Sequence, residues 1–165
     1  MMLDRQKLTD AWYKRFDGLD KGYWISLNSK IRVEGLADPR LPDRLMKFEP
    51  MVEKFIHQIN EKCFGRRYIK DPSIRLTCLA GYEVGKVDGL VHCHIIAAHD
   101  GGTDRTVEEI REISKRKWDG ICNTNGSQQF VHVDEVENVQ SRLWYLTKQA
   151  CEMERVHKVS NLSLY

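Results

Sequence analysis

Glu83, the histidines at 92 and 94, and the run Tyr145-Leu146-Thr147-Lys148 are the residues of this chain whose types and spacing carry chemistry. Two imidazoles and a carboxylate form a mixed nitrogen and oxygen donor set for Mg²⁺, Mn²⁺ or Zn²⁺, with coordination positions left for water or a phosphate oxygen. A tyrosine hydroxyl, with an ordinary pKa near 10, attacks poorly at neutral pH unless a cation polarises its target and stabilises developing charge. Lys148, one turn after Tyr145, supplies an ammonium to both the phenolate and a phosphate. Together these residues describe a metal-assisted tyrosine nucleophile acting on a phosphodiester.

The elements that must position them are legible in the same sequence. Leu76 to His99 reads as two strands rich in apolar and β-branched residues, joined at Lys86-Val87-Asp88-Gly89, a Gly-terminated hairpin signal. With Asp88-Gly89 as a two-residue loop, Glu83 pairs with His94 and Gly85 with His92. Side chains alternate along strands, so Glu83, His92 and His94 project from one sheet face and Cys93 from the other, as a small core residue. An isolated His-x-His is more often a strand carrying two polar residues; Glu83 on the matching face favours ligation. His99 has the wrong parity to join the pair, and His57 falls on a helix. His132, two residues before Asp134, is a candidate to line the site.

Elsewhere, strands are expected at Tyr23 to Asn28 and Gln129 to Val133, with an irregular loop over Ile31 to Asp43. Leu45, Phe48, Val52, Phe55, Ile56 and Ile59 recur at helical spacing within Arg44 to Cys63, where Pro50 marks the first turn or a kink and Gly65 the stop. Thr103-Asp104 is expected to cap a helix reaching about Trp118. A last helix covers Asn138 to Met153, with Val139, Leu143, Leu146 and Ala150 on its buried stripe and Tyr145 well off it.

The 165 residues, 41% hydrophobic, fit one domain (1–165), with an N-terminal extension at 1–20 and a C-terminal tail at 154–165. A formal charge of +2 neither requires nor excludes a nucleic-acid partner. Local clusters are more informative: Arg66 and Arg67 precede Tyr68, and Lys115, Arg116 and Lys117 precede Trp118, pairings able to grip a phosphate backbone while a ring stacks on a base. Five cysteines without Cys-x-x-Cys spacing fit reduced thiols in a cytoplasmic protein. No apolar run suggests a signal peptide or membrane span.

These residues resemble the HUH endonucleases, a family named for a His-hydrophobic-His pair and a catalytic tyrosine. His92-Cys93-His94 matches the pair, Tyr145-Leu146-Thr147-Lys148 the Tyr-x-x-Lys motif of the replication-initiator (Rep) branch, and Tyr23-Trp24-Ile25-Ser26-Leu27-Asn28 the weaker first-strand motif. The tyrosine follows the histidine pair, whereas relaxases place it first, so the order favours Rep. The resemblance implies an α+β fold with a central antiparallel sheet and packed helices, related to ferredoxin-like and RNA-recognition-motif arrangements. It implies Tyr145 and Lys148 as catalytic residues and Glu83, His92 and His94 as ligands to Mn²⁺ or Mg²⁺. Where many viral Rep domains have an acidic residue after the motif lysine, this chain has Gln149, a candidate to hold a metal-bound water or touch phosphate.

The implied activity is nicking and joining of single-stranded DNA at a replication origin through a 5′-phosphotyrosine, initiating rolling-circle replication of a plasmid, phage or virus. No phosphate-binding loop motif occurs in the sequence, so the chain is expected to be either a compact initiator with a host helicase and polymerase as partners or a nuclease domain of something longer, with no membrane involved. Three alternatives stand beside this: a single-tyrosine HUH transposase, a non-catalytic module binding single-stranded nucleic acid, and a phosphoesterase using paired histidines. Position 96 is Ile and no His-x-Thr/Ser repeat occurs, which weakens the last.

Overall fold

The structure is a computed structural model and describes residues 4–19, 21–100, 103–123, 131–157 and 162–165. Helix α1 (Arg5–Phe16) leads into strand β1 (Lys21–Arg32), helix α2 (Leu41–Phe64) and two short 3₁₀ turns. Strands β2 (Thr77–Val84) and β3 (Leu90–His99) follow, then helix α3 (Val107–Cys122), strand β4 (Val131–Glu135), helix α4 (Val139–His157) and strand β5 (Leu162–Leu164). The fold is α+β: an antiparallel sheet in the order β4-β1-β3-β2-β5, with helices on both faces.

The two-residue period of the strands builds two different faces. Tyr23, Ile25, Leu27, Cys78, Ala80, Tyr82, Cys93 and Ile95 point to one side, where Phe48, Phe55 and Ile59 of α2 and Ile110 and Trp118 of α3 bury them in the main core. Cys93 is fully buried there, as its parity requires. On the other face Trp24, Leu79, Ile96 and Ala98 pack under Phe16 of α1 and Leu143 and Leu146 of α4. These two helices cover only one end of that face. Ser26, Asn28, Glu83, His92 and His94 lie beyond the apolar patch on the same parity and are only partly buried.

The hairpin differs from its sequence reading in register. Glu83 pairs with His92 and Gly81 with His94, two residues from the expected pairing. A two-residue type I′ loop needs positive φ at both central positions; Gly89 has φ 65°, but Asp88 does not. The chain instead closes a four-residue loop, Lys86 to Gly89, with the Gly89 amide donating to the Gly85 carbonyl (3.0 Å) and the Gly85 amide to that of Leu90 (2.8 Å). The Asp88 carboxylate accepts from the Leu90 amide at 2.9 Å. A shift of two preserves parity, so the three candidate ligands still share one face.

Other boundaries move for local reasons. α2 begins at Leu41, with Pro42 in its first turn, and contains Pro50. α3 is capped by Thr106 rather than Thr103, through a reciprocal capping box with Glu109. The expected 1–20 extension contains helix α1, capped by Asp4, and the expected 154–165 tail includes the end of α4 and the β5 strand on the β2 edge. Part of the predicted strand, residues 129 and 130, lies outside the described residues. No helix is long and apolar enough to cross a membrane among the described residues.

Candidate active site

Two rows of side chains cross the sheet. In one, Glu83 of β2 pairs with His92 of β3, which pairs with Asn28 of β1; in the next, His94 of β3 pairs with Ser26 of β1, which pairs with His132 of β4. β1 therefore supplies a polar partner to each histidine. Asn28 Oδ1 lies 2.7 Å from His92 Nδ1, and Ser26 Oγ lies 2.9 Å from His94 Nδ1. Each contact engages the Nδ1 side of a ring and turns Nε2 toward the open face, the way an outer partner fixes a ligating imidazole. Asn28 is held in turn: its carbonyl accepts from the Trp118 indole at 2.9 Å. Ser29, buried, stabilises the irregularity that follows in β1 by donating to the Val91 carbonyl at 2.6 Å.

Glu83 joins the two rows to helix α4. Its Oε1 is 2.8 Å from His94 Nε2, and its Oε2 accepts a hydrogen bond from the Tyr145 hydroxyl at 2.9 Å. Burial alone would raise the Glu83 pKa, but the bond and charge of His94, the Tyr145 hydroxyl and the charge of His92 outweigh it and hold the carboxyl below its ordinary 4.5. Tyr145 moves the other way. Burial, the Glu83 charge and the bond to it push the phenol up to about 12, so in this arrangement it is a hydrogen-bond donor.

Trp24 organises the rings. The imidazole of His94 stacks on the indole at 5.0 Å and 17°, and Tyr145 meets both rings edge-on at 5.8 and 5.7 Å. Helix α1 braces α4 from behind: the buried hydroxyls of Thr9 and Thr147 are 2.8 Å apart, and Arg5 donates to the Trp144 carbonyl at 2.6 Å while its guanidinium lies 3.6 Å over the Trp144 ring. Contacts at 144 and 147 flank the tyrosine and set the height of its ring above the sheet. Tyr145, 40% exposed, borders a groove of about 780 Å³ that Glu83, Arg32, Lys86 and Lys148 also line.

No ready-made cluster of three His, Cys, Asp or Glu side chains for a metal ion occurs among the described residues; Glu83 is engaged by His94 and Tyr145. The donor chemistry nevertheless fits a divalent ion: two anchored imidazoles present Nε2 beside a carboxylate held ionised. Gly85 contributes room. A Cβ there would stand 2.7 Å from His92 Nε2 and collide with Asp88 Oδ1, so the glycine leaves room beside that nitrogen for the Asp88 carboxylate, whose Oδ1 lies 3.4 Å from it. The Ser26 hydroxyl can donate to or accept from His94 Nδ1, so this anchor holds in either tautomer of the ring.

The sequence-expected residues are brought together unequally. Glu83, His92, His94 and Tyr145 form one cluster, and Lys148 is exposed on the adjoining groove. The Gln149 side chain lies outside the described residues. Arg66 and Arg67 are exposed in the 3₁₀ turn after α2, and Lys115 and Arg116 are exposed on α3 beside a partly buried Lys117. α2 and α3 cover the opposite sheet face, so both basic clusters lie across the sheet from Tyr145. Their aromatic neighbours are core residues: Tyr68 is 7% exposed and Trp118 fully buried, and neither can stack on a base. His99 and His57 take structural partners, the Ser73 carbonyl and Tyr68. His132 stands on the site's face, paired with Asp134 at 2.7 Å.

Ser26, Asn28 and Gly85 were not singled out as site residues by their sequence. Their signal was present for the first two, since Trp24, Ser26 and Asn28 alternate with apolar Tyr23, Ile25 and Leu27 and so share the ligand parity. Comparison with protein-family models, curated proteins and solved structures finds no match.

Proposed function

We propose that this protein is an HUH-type endonuclease of the replication-initiator kind, which nicks and rejoins single-stranded DNA through Tyr145, with the ferredoxin-like arrangement that such domains use. One observation carries the reading: the phenol of Tyr145, delivered by a helix 62 residues away in sequence, meets the carboxylate that also holds His94. A structural tyrosine at a helix edge has no need of an ionised carboxylate flanked by two anchored imidazoles.

Glu83, His92 and His94 are the residues that hold the divalent ion, Mn²⁺ or Mg²⁺. That ion, when bound, offsets negative charge building on the scissile phosphate. Asn28 and Ser26 keep the two imidazoles aimed, and Trp24 keeps the rings of His94 and Tyr145 in register. Tyr145 Oη forms a bond to phosphorus as the bond to the 3′-oxygen breaks; Glu83 takes the phenol proton, and the departing 3′-oxygen takes a proton from solvent to leave as a hydroxyl. Lys148 on the groove stabilises the phenolate and the phosphate. Attack of a 3′-hydroxyl on the 5′-phosphotyrosine reverses the step, and because bond energy is retained in the adduct, joining needs no ATP. Replication from an origin then requires a helicase to open the duplex and a polymerase to extend the freed 3′-hydroxyl.

The test is incubation with Mn²⁺ and a diverse pool of labelled single-stranded oligonucleotides, followed by denaturing electrophoresis. The wild type is expected to give a covalent protein–DNA band, and Tyr145→Phe none, with Mn²⁺ affinity retained. Cleavage that survives in Tyr145→Phe would make the protein a phosphoesterase, and binding without any cleavage a nucleic-acid-binding module.

A further inference from the structure

Arg142 precedes Tyr145 by three residues and Lys148 follows it by three, so one face of α4 carries a cation on each side of the hydroxyl. The two differ in setting. Lys148 is exposed on the groove shared with Arg32 and Lys86, whereas Arg142 lines a second pocket, of about 600 Å³, with Asp134, Ser141 and Tyr145. Tyr145 borders both pockets and thus marks where they meet. The Arg142 guanidinium lies 4.8 Å over the Trp24 ring, the same indole on which His94 stacks. It has no ion pair among the described residues, although Asp134, Glu135 and Glu137 line the same pocket; Asp134 is engaged by His132.

We infer that Arg142 is a second phosphate-binding residue, which grips a backbone phosphate of single-stranded DNA beside the scissile one, on the side of Tyr145 opposite Lys148. A guanidinium fixed over an aromatic ring loses little freedom on binding, and its planar fork suits two phosphate oxygens. Asp134, Glu135 and Glu137 oppose an anion within the pocket, so the phosphate contact is confined to the guanidinium at its edge beside Tyr145. The inference rests on the nuclease reading, because it takes the same strand past Tyr145.

Fluorescence anisotropy with a labelled single-stranded oligonucleotide pool, without added metal, isolates binding from cleavage. Arg142→Met keeps an unbranched apolar side chain beside Trp24 and removes the guanidinium with its charge and donors. Its plot of log affinity against log salt is expected to be shallower than the wild type's by about 0.7, the value of one phosphate contact on a single strand. Over a fourfold change in salt, this makes the wild type lose roughly 2.5-fold more affinity than the variant. Arg142→Lys should restore most of the slope. An Arg142→Met slope equal to the wild type's, with an unchanged melting temperature, would overturn the inference and leave the nuclease reading standing. Absence of binding by the wild type would overturn both. Loss of folding in Arg142→Met moves the measurement to Arg142→Gln, which must show the same reduced slope.

Discussion

Gly85→Ala is the sharpest single perturbation of the candidate metal centre. Gly85 does not occupy the left-handed region, so alanine costs little in backbone strain. The new Cβ would lie 2.7 Å from His92 Nε2, where ordinary contact begins at 3.4 Å, so the imidazole must retreat by about 0.7 Å. Metal–ligand distances tolerate only about ±0.2 Å. His92 has little freedom to compensate, since Asn28 holds Nδ1 at 2.7 Å and the side chain is 15% exposed. Asp88, whose Oδ1 also meets the added carbon, must release the Leu90 amide or reorient, a loss of about 1 kcal/mol. Mn²⁺ affinity, measured by isothermal titration calorimetry, should fall about 10- to 100-fold, the range of comparable disturbances of ligand support. The thermal unfolding midpoint should drop only slightly. Adduct formation should fall at limiting metal and recover as Mn²⁺ is raised. Wild-type Mn²⁺ affinity in Gly85→Ala would refute the assignment of His92 Nε2 as a ligand.

Two further outcomes follow from the neighbouring contacts. Asn28→Ala removes the acceptor from His92 Nδ1 and should lower Mn²⁺ affinity by about 10- to 100-fold, whereas Asn28→Asp, which keeps an acceptor, should retain most of it; equal losses in both calorimetric titrations would count against an anchoring role. Glu83 has a folded pKa below 4.5, so its contribution to stability is complete above that value and is lost as pH falls through the lowered one; the melting temperature of Glu83→Gln should therefore depend less on pH on the acid side than that of the wild type, and parallel profiles would contradict the depressed value.

What the sequence made legible was governed by parity more than by position. Alternation placed Glu83, His92 and His94 on one face and Cys93 on the other, and these assignments hold despite a register displaced by two, because loop length sets the pairing while the two-residue period sets the face. Tyr145 was legible as lying off the Leu143, Leu146 and Ala150 stripe. α1 was not, because it buries little beyond Thr9 and Phe16 and shows no strong apolar stripe. Three-residue β5 is too short to leave a periodic signal. The base-stacking part of the basic-run reading failed for a different reason: Tyr68 and Trp118 stand beside cations in sequence, but helical geometry turns those rings into the core while most of the cations stay exposed.

The strand order has a consequence for when the chemistry becomes available to a folding chain. β2 and β3 are joined by a short loop and can pair early, placing Glu83 near both histidines within a local unit. That hairpin lacks the groups that aim the imidazoles, because β1, an interior strand between β4 and β3, must close contacts such as Ser26 to His94 across 68 residues. Such long-range pairing is the slow part of folding. Tyr145 arrives later still along the chain, on α4. A nascent chain therefore exposes the individual side chains well before it can assemble them, and Tyr145 joins the cluster only when α4 packs against β2.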